Sequence, residues 1–306
     1  MLGASILFAA ALSFAETKTL TVQIQLDRLG YSCNTIDGQW GAKSQAALEN
    51  YCRERKCPLP ATPEEAYDRY FKPQTDLFYW ETLTAGDFAA LRTLPDDPAA
   101  KAQLDWLGYE SIAEMLAERG HVSRRALERL NPRLDWRTVG VGTRVRLPKF
   151  PRAADYLEAG KGLTAADSKR PAAALLRISL ARFEIQAYDA HGRLLGVFPC
   201  SIAKDKKKAP RGELKVVSLI PNPNYTYTPA RRGGQAPARQ IFSPGPNNPV
   251  GVAWIGLSLP GYGIHGTPAP ERIGRAESKG CFRVANWNAA RLYALCRIGT
   301  HVVIVP

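Results

Sequence analysis

The spacing of apolar positions changes character along this chain. Between residues 17 and 57, Leu20, Ile24 and the Leu26–Leu29 stretch fall at helical intervals, and Gly30 stops the helix they predict. The segment IDGQWG at 36–41 places Asp-Gly in a turn, and a second helix follows with Ala46, Ala47, Leu48 and Tyr51 on its apolar side. Residues 58–105 mix Pro, acidic and aromatic residues with short helical patches at 64–71 and 84–92, and read as a connecting segment that packs on a neighbour. Within 106–150, the helix YESIAEMLAERG closes at Gly120, SRRALERL starts from a Ser123 cap and stops at Asn131-Pro132, and VGVGTRVRLP alternates as a strand does. From about residue 172 the period becomes two. Short runs at Leu176–Leu180, Phe183–Tyr188, Leu194–Cys200, Leu214–Leu219 and Val302–Val305 are broken by Gly, Pro and Asn, with a hairpin turn expected at DAHG (189–192). One helix, NWNAARLYALCR, lies near the end. The pattern is that of a multidomain α+β chain, with a small helical bundle first and a β-rich unit over 172–306.

With 306 residues, 45% hydrophobic and 23% charged, the chain is long enough for two or three units with their own cores. Lys and Arg number 41 against 28 Asp and Glu, a formal charge of +13 that favours polyanionic surroundings: nucleic acid, anionic lipid or an acidic wall polymer. The basic residues are dispersed, and only Lys204 to Lys208 forms a run, so nucleic acid is set behind the wall polymer. The N-terminal LGASILFAAALSFA is too short to span a bilayer, which takes roughly 20 residues. It has the form of a secretory signal core over 1–15, with Ser13 and Ala15 ahead of a cut before Glu16, although no Lys or Arg precedes it; a buried helix is the other reading. Cleavage would leave an exported protein with no stable membrane insertion. The six cysteines form no CxxC pair and there are four His, so neither a metal nor an organic cofactor is called for. Cys33, Cys52 and Cys57 crowd the first unit, where Cys33 bridged to Cys52 or Cys57 and free buried thiols are both open.

The chemistry is concentrated in GYGIHGTPAPERIGRAESKGCFR, residues 261–283. A thiol nucleophile needs a base to take its proton and donors to hold the oxyanion it creates. Cys281 follows Gly280, which lets a carbonyl approach closely, and precedes a helix from residue 286; His265 lies sixteen residues earlier between Gly263 and Gly266. Two strands joined by a long loop would bring them together. Cys200 and Cys296 read as core residues, and His121, His191 and His301 as structural. Tyr262 and Trp254 suit either a substrate groove or core packing.

This frame (His-Gly-Thr, a spacer, Ile-Gly, then Ser-x-Gly-Cys-x-Arg) resembles the L,D-transpeptidase catalytic domain of the YkuD type. The resemblance covers about 172–306 and includes PRGELKV at 210–216, NNPVGVAWIGLS at 247–258, Asn286 and Gly299-Thr300-His301-Val302. It implies that Cys281 attacks a peptidoglycan stem-peptide amide before the terminal D-alanine and that His265 is its base. It further implies that amides of Gly280 and Cys281 hold the oxyanion, that Arg283 binds a substrate carboxylate, that Ser278 shapes the turn and that Tyr262 contacts substrate. An acceptor amine would complete a cross-link; water would make the enzyme an L,D-carboxypeptidase. Lys279 stands where the family usually has His; its ammonium can favour thiolate but cannot accept a proton as imidazole does, which leaves a decayed, binding-only protein as the contrasting reading. A papain-like protease would place Cys before His, the reverse of the order here. Residues 17–57 resemble the type 1 peptidoglycan-binding domain on Gly30-Tyr31, Ile36-Asp37-Gly38-x-Trp40-Gly41 and the Ser44-x-x-Ala47-Leu48 helix, and 106–150 resemble a degenerate LysM module whose first strand is poorly marked. Together these imply peptidoglycan stem peptides and glycan as partners and a periplasmic or envelope location. Oligomeric state stays open.

Overall fold

A serine opens the first helix. Ser13 Oγ accepts from the Glu16 amide (3.3 Å) while the Glu16 carboxylate accepts from the Ser13 amide (2.9 Å), a capping box that starts α1 (Phe14–Arg28). A cut ahead of Glu16 would fall within this helix's first turn. Leu20, Ile24 and Leu26 are fully buried, and Gly30, at φ +104°, turns the chain away. The computed structural model describes residues 10–72, 76–162, 171–205, 210–229, 238–278 and 280–306. The chain divides into two units, 1–91 with 111–150, and 92–110 with 151–306.

In the first unit the Asp-Gly turn is held from inside by Gln23, which accepts from the amides of Asp37 (3.2 Å) and Gly38 (2.9 Å) and donates to Gln39 O and Ser44 Oγ. That bond reaches the first turn of α2 (Ala42–Arg55). The stretch read as a connector contributes α3 (Pro63–Tyr70), capped by Thr62 and packed on α1, and then a strand, β1 (Phe78–Thr82). Next come α4 (Ala85–Ala89) and α5 (Pro98–Lys101), the latter within the second unit, then α6 (Ile112–Arg119), α7 (Arg124–Leu130) and β2 (Arg144–Pro148). β1 and β2 pair antiparallel, Phe78 opposite Pro148 and Thr82 opposite Arg144. The strand escapes a pattern search because its one buried side chain is Glu81, which shares Arg119 of α6 (3.0 Å) with Asp87 of α4 (2.9 Å). The two stretches that the sequence treats as separate modules form one body here. Ile36 bridges Val122, His121 Nδ1 lies 3.2 Å from Asp27 of α1, and Arg129 of α7 pairs with Glu16. Cys33, Cys52 and Cys57 are free thiols; Cys52 neighbours Cys57, while Cys33 is hydrogen-bonded to Ser44.

The second unit is built on α8 (Ala153–Gly160), β3 (Leu175–Ser179), β4 (Glu184–Tyr188), β5 (Leu194–Pro199), β6 (Ile202–Ala203), β7 (Gly212–Pro221), β8 (Tyr225–Tyr227), β9 (Gln240–Phe242), β10 (Ala253–Leu257), β11 (Gly263–His265), β12 (Ala276–Ser278), β13 (Phe282–Arg283), α9 (Asn286–Leu295) and β14 (His301–Val305). Eight strands form one curled sheet in the order β13-β11-β10-β7-β14-β3-β4-β5. The β14–β3 and β11–β13 pairs are parallel and the rest antiparallel. The five expected runs are β3, β4, β5, β7 and β14, to which β10, β11 and β13 are added; the inward Leu176, Ile178, Ile185, Phe198, Ile255, Ile264, Phe282 and Val302 have no exposed surface. The turn at 189–192 forms with Gly192 at φ +74° and the Asp189 carboxylate accepting from the amides of His191 and Arg193, both 2.9 Å. Residues 92–110 are laced to the loop before β10: Leu107 N donates to Pro244 O (2.8 Å), Asn247 N to Leu107 O (3.0 Å) and Ser243 Oγ to Leu104 O (2.6 Å).

Candidate active site

The register of two short parallel strands assembles the site. Ile264 of β11 lies opposite Phe282 of β13 and His265 opposite Arg283. Ile264 and Phe282 are fully buried in the core, so by the two-residue period of a strand Gly263 and His265, with Cys281 and Arg283, face the other way. That other face is the floor of a groove of about 920 Å³ lined by His265, Cys281, Arg283, Ser278, Gly280, Tyr262 and Trp254. Every sequence-predicted site residue that the structure describes is therefore on one groove; Lys279 lies outside the described residues.

His265 is 6% exposed, and its Nδ1 is 2.7 Å from Gly266 O. A carbonyl only accepts, so Nδ1 carries the proton and Nε2 presents a lone pair. Burial drives the imidazole down to about 4; the Gly266 hydrogen bond opposes this and the Arg283 charge adds to it. Trp254 lies nearly parallel to the ring, 5.6 Å between centroids and 15° between planes. The Cys281 thiol donates to Gly261 O at 3.5 Å. Its pKa is pushed up by burial, with the Gly263 amide pulling the other way. At rest the groove thus holds a neutral thiol and a neutral imidazole.

The turn before the cysteine is tied by Ser278, whose Oγ donates to Cys281 O (2.6 Å) and accepts from Gly280 N (3.2 Å). Of the two amides expected at the oxyanion, that of Gly280 is turned to Ser278. Gly280 is required for a different reason: a Cβ there would sit 2.7 Å from Tyr262 Cε1, so the glycine lets the tyrosine ring lie beside Cys281. Arg283 is held by its main chain, which exchanges hydrogen bonds with Ser201 in both directions (2.8 and 3.0 Å).

Ile220, Pro223, Asn224, Tyr225 and Thr226, from the end of β7 through the start of β8, line the groove with Pro249 and Val250. Pro249 and Val250 belong to the NNPVGVAWIGLS stretch, whereas the composition of 220–226 is that of any turn and left no signal to find those residues by. Asn286 gave a signal without a role. Fully buried, it donates to Pro246 O (3.0 Å) and accepts from Val252 N (3.4 Å). A Cβ on Gly251 or Gly266 would lie 2.1 or 2.3 Å from its Oδ1. Asn286 therefore sets the position of the Gly266 peptide, whose carbonyl fixes the His265 ring. Among the described residues no three His, Cys, Asp or Glu side chains gather as a metal would require.

Comparison with known proteins bears on this site. The YkuD family profile, described as the L,D-transpeptidase catalytic domain, matches residues 174–304. The chain is 35% identical over 118 residues to a Fuscovulum blasticum protein named as a candidate L,D-transpeptidase in the ATP synthase subunits region, covering 39% of this chain and 62% of that one. It is 29% identical over 195 residues to the similarly named YkuD of Bacillus licheniformis, covering 63% of this chain and 93% of that one. L,D-transpeptidase 3 of Mycobacterium tuberculosis, a solved structure, overlays 44% of this chain and 62% of its own with 19% identity and a TM-score of 0.36.

Proposed function

Residues 174–304 being an L,D-transpeptidase catalytic domain of the YkuD family, we propose that the protein is a peptidoglycan L,D-transpeptidase with Cys281 as nucleophile and His265 as base. The observation that carries this is the β11–β13 register, which supports a thiol and an imidazole lone pair acting on one groove. Cys281 attacks the amide carbonyl between the stem-peptide diamino acid and the terminal D-alanine, and its proton passes to His265 Nε2. The oxyanion is held by backbone N–H groups beside the sulfur, those of Cys281 and Gly263, the Gly280 amide being committed to Ser278. As the intermediate collapses, the C–N bond breaks, the leaving amine takes the proton from His265, and D-alanine departs from a thioester on Cys281. An acceptor amine, deprotonated by His265, then attacks the thioester, forms the cross-link and regenerates the thiol. Arg283 is the fork for a substrate carboxylate, and Tyr262 and Trp254 are the groove walls along the peptide. Hydrolysis by water at the same thioester is the carboxypeptidase branch.

In this reading the protein works in the envelope, its N-terminal segment 1–15 serving as the signal that directs export. Residues 17–57 resemble a peptidoglycan-binding domain, and 106–150 a degenerate LysM module. No described helix is long and apolar enough to cross a membrane. The test is incubation with disaccharide-tetrapeptide and mass analysis of the products. A cross-linked dimer with released D-alanine is the expected outcome, tripeptide with D-alanine marks the carboxypeptidase, and neither should form with Cys281→Ala. A catalytically decayed protein would leave the substrate intact and would not be acylated at Cys281 by a carbapenem.

A further inference from the structure

The C-terminal end of α2 brings two thiols together. Cys57 N donates to Cys52 O (3.0 Å) and Lys56 N to Arg53 O (3.4 Å), the paired bonds of a Schellman turn. In such a turn the side chains of the first and sixth residues meet over the helix end, and here both are cysteines. With standard bond lengths, the main-chain bond keeps their Cα atoms within about 7 Å, the reach of a disulfide. The two thiols are hydrogen-bonded to each other. Between them Lys56 stands at φ +51° and ψ +39°, a left-handed conformation that glycine usually supplies. The next carbonyl, Pro58 O, accepts from Cys52 Sγ (3.6 Å) and from the Tyr70 hydroxyl of α3 (2.8 Å). Cys33 stands apart from this cluster. It is hydrogen-bonded to Ser44 in the first turn of α2, and Cys52 lies two helical turns further on, about 12 Å away.

Exposure divides the pair into two roles. Cys57 is half-buried and open to a reagent, whereas Cys52 is buried, its thiol pushed up to about 12 by burial first and by Cys57 second. We propose that Cys52 and Cys57 are a disulfide-forming pair, oxidised by exchange with a disulfide-bearing oxidant. Cys57, as thiolate, attacks one sulfur of the oxidant; the oxidant's S–S bond breaks and its first half leaves as a thiol, taking up a proton. Cys52 then gives its proton to solvent and attacks the Cys57 sulfur of the mixed disulfide, which expels the second half as a thiol. The protein loses two electrons and two protons, and the oxidant becomes two thiols. Pro58 O loses the Cys52 donor but keeps Tyr70. The new bond spans the left-handed Lys56 and fastens the turn on which α3 is tied. Its ring is short, so it acts as a local clasp rather than through chain entropy. Such a bond persists in oxidising surroundings, and to that extent the inference rests on export; it is independent of the acyl-transfer reading.

The experiment uses the full chain, reduced, freed of reductant and incubated with oxidised glutathione at about pH 8. Free thiols are then alkylated in denaturant, and the tryptic peptides are weighed without reduction. Cuts after Arg28, Lys43, Arg53 and Lys56 leave Cys33, Cys52 and Cys57 on three separate peptides, with Cys281 on a fourth. The expected product joins the Cys52 peptide to the Cys57 peptide and leaves Cys33 alkylated. Cys52→Ser should trap glutathione on Cys57, raising that mixed disulfide at least about tenfold over the parent, and Cys57→Ser should leave Cys52 a thiol. Parental melting midpoints report that both variants fold, whatever the state of Cys281. The proposal is overturned if Cys33 is joined to either residue, if the parent retains glutathione on Cys57 as Cys52→Ser does, or if Cys52 and Cys57 stay reduced under excess oxidant.

Discussion

Titrating the resting thiol provides the sharpest test of how the site works. Burial places the imidazole of His265 near 4, while the Cys281 thiol lies above its ordinary 9.0. Moving the proton from sulfur to ring therefore works against a gap of at least five units, about 7 kcal/mol at about 1.4 kcal/mol per unit. The attraction between the two new charges would return about 4 kcal/mol if the groups closed to about 4 Å at an effective dielectric of about 20. The remainder, about 3 kcal/mol, keeps the ion pair below about 1% of molecules at rest. In the proposed mechanism, proton transfer then accompanies attack on the carbonyl, with His265 as general base. Alkylation by iodoacetamide, followed by mass at Cys281 and corrected with Cys281→Ala, should accelerate about tenfold per pH unit from about pH 6 to about pH 9 without a plateau. Thiolate absorbance in the ultraviolet should rise over the same upper range. A plateau in alkylation or absorbance between about pH 5 and pH 8 would establish a preformed thiolate–imidazolium pair and refute the reasoning.

Further outcomes test other parts of the structure. Because the folded pKa of His265, about 4, lies below the ordinary imidazole value of 6.5, the unfolded chain takes up the proton first as pH falls. Stability should be full above about pH 6.5, decline by about 3 kcal/mol toward pH 4 and flatten below; in urea melts His265→Gln should remove that share of the slope, and an unchanged slope counts against it. Gly266→Ala sets a Cβ 2.3 Å from Asn286 Oδ1 and 3.2 Å from Gly251 Cα. It should cost about 1–3 kcal/mol of stability and slow acylation by shifting the carbonyl that orients His265; parental melting and acylation would rule out the clash. Arg119→Met removes the cation shared by the buried carboxylates of Glu81 and Asp87 and should destabilise the first unit by about 3–5 kcal/mol, measured by denaturant midpoint. A loss below about 1 kcal/mol would place that network among ordinary surface pairs.

What could be read in advance follows from how each feature is encoded. The β-rich unit announces itself because apolar inward residues alternate with polar outward ones, and the groove because His265 and Cys281 sit in a dense local frame whose strands are neighbours. β1 was hidden by electrostatics: its inward residue is a carboxylate satisfied by Arg119, which comes from a helix far along the chain. Residues 92–110 were hidden because their link to the loop at 243–247 is chiefly through main-chain carbonyls and amides, which any residue type could supply. The Gly280 amide was legible as a nearby donor, but its direction depends on a hydroxyl rotor at Ser278. Asn286 shows the opposite limit: its position was noticed, yet its work, filling the space above two glycines, is geometric and has no one-dimensional signature.

The interleaved division of the chain, with 92–110 belonging to the later unit and 111–150 to the earlier, means that the peptide passes between units at three places. No single cut can part them. A fragment beginning at residue 151 would retain every side chain proposed for catalysis yet lack the segment whose Leu107 and Leu104 carbonyls receive Asn247 and Ser243, just upstream of the groove wall at Pro249 and Val250. Excision or recombination of the acyl-transfer unit must therefore carry two pieces of gene, which ties the inheritance of the front half of the protein to that of the back.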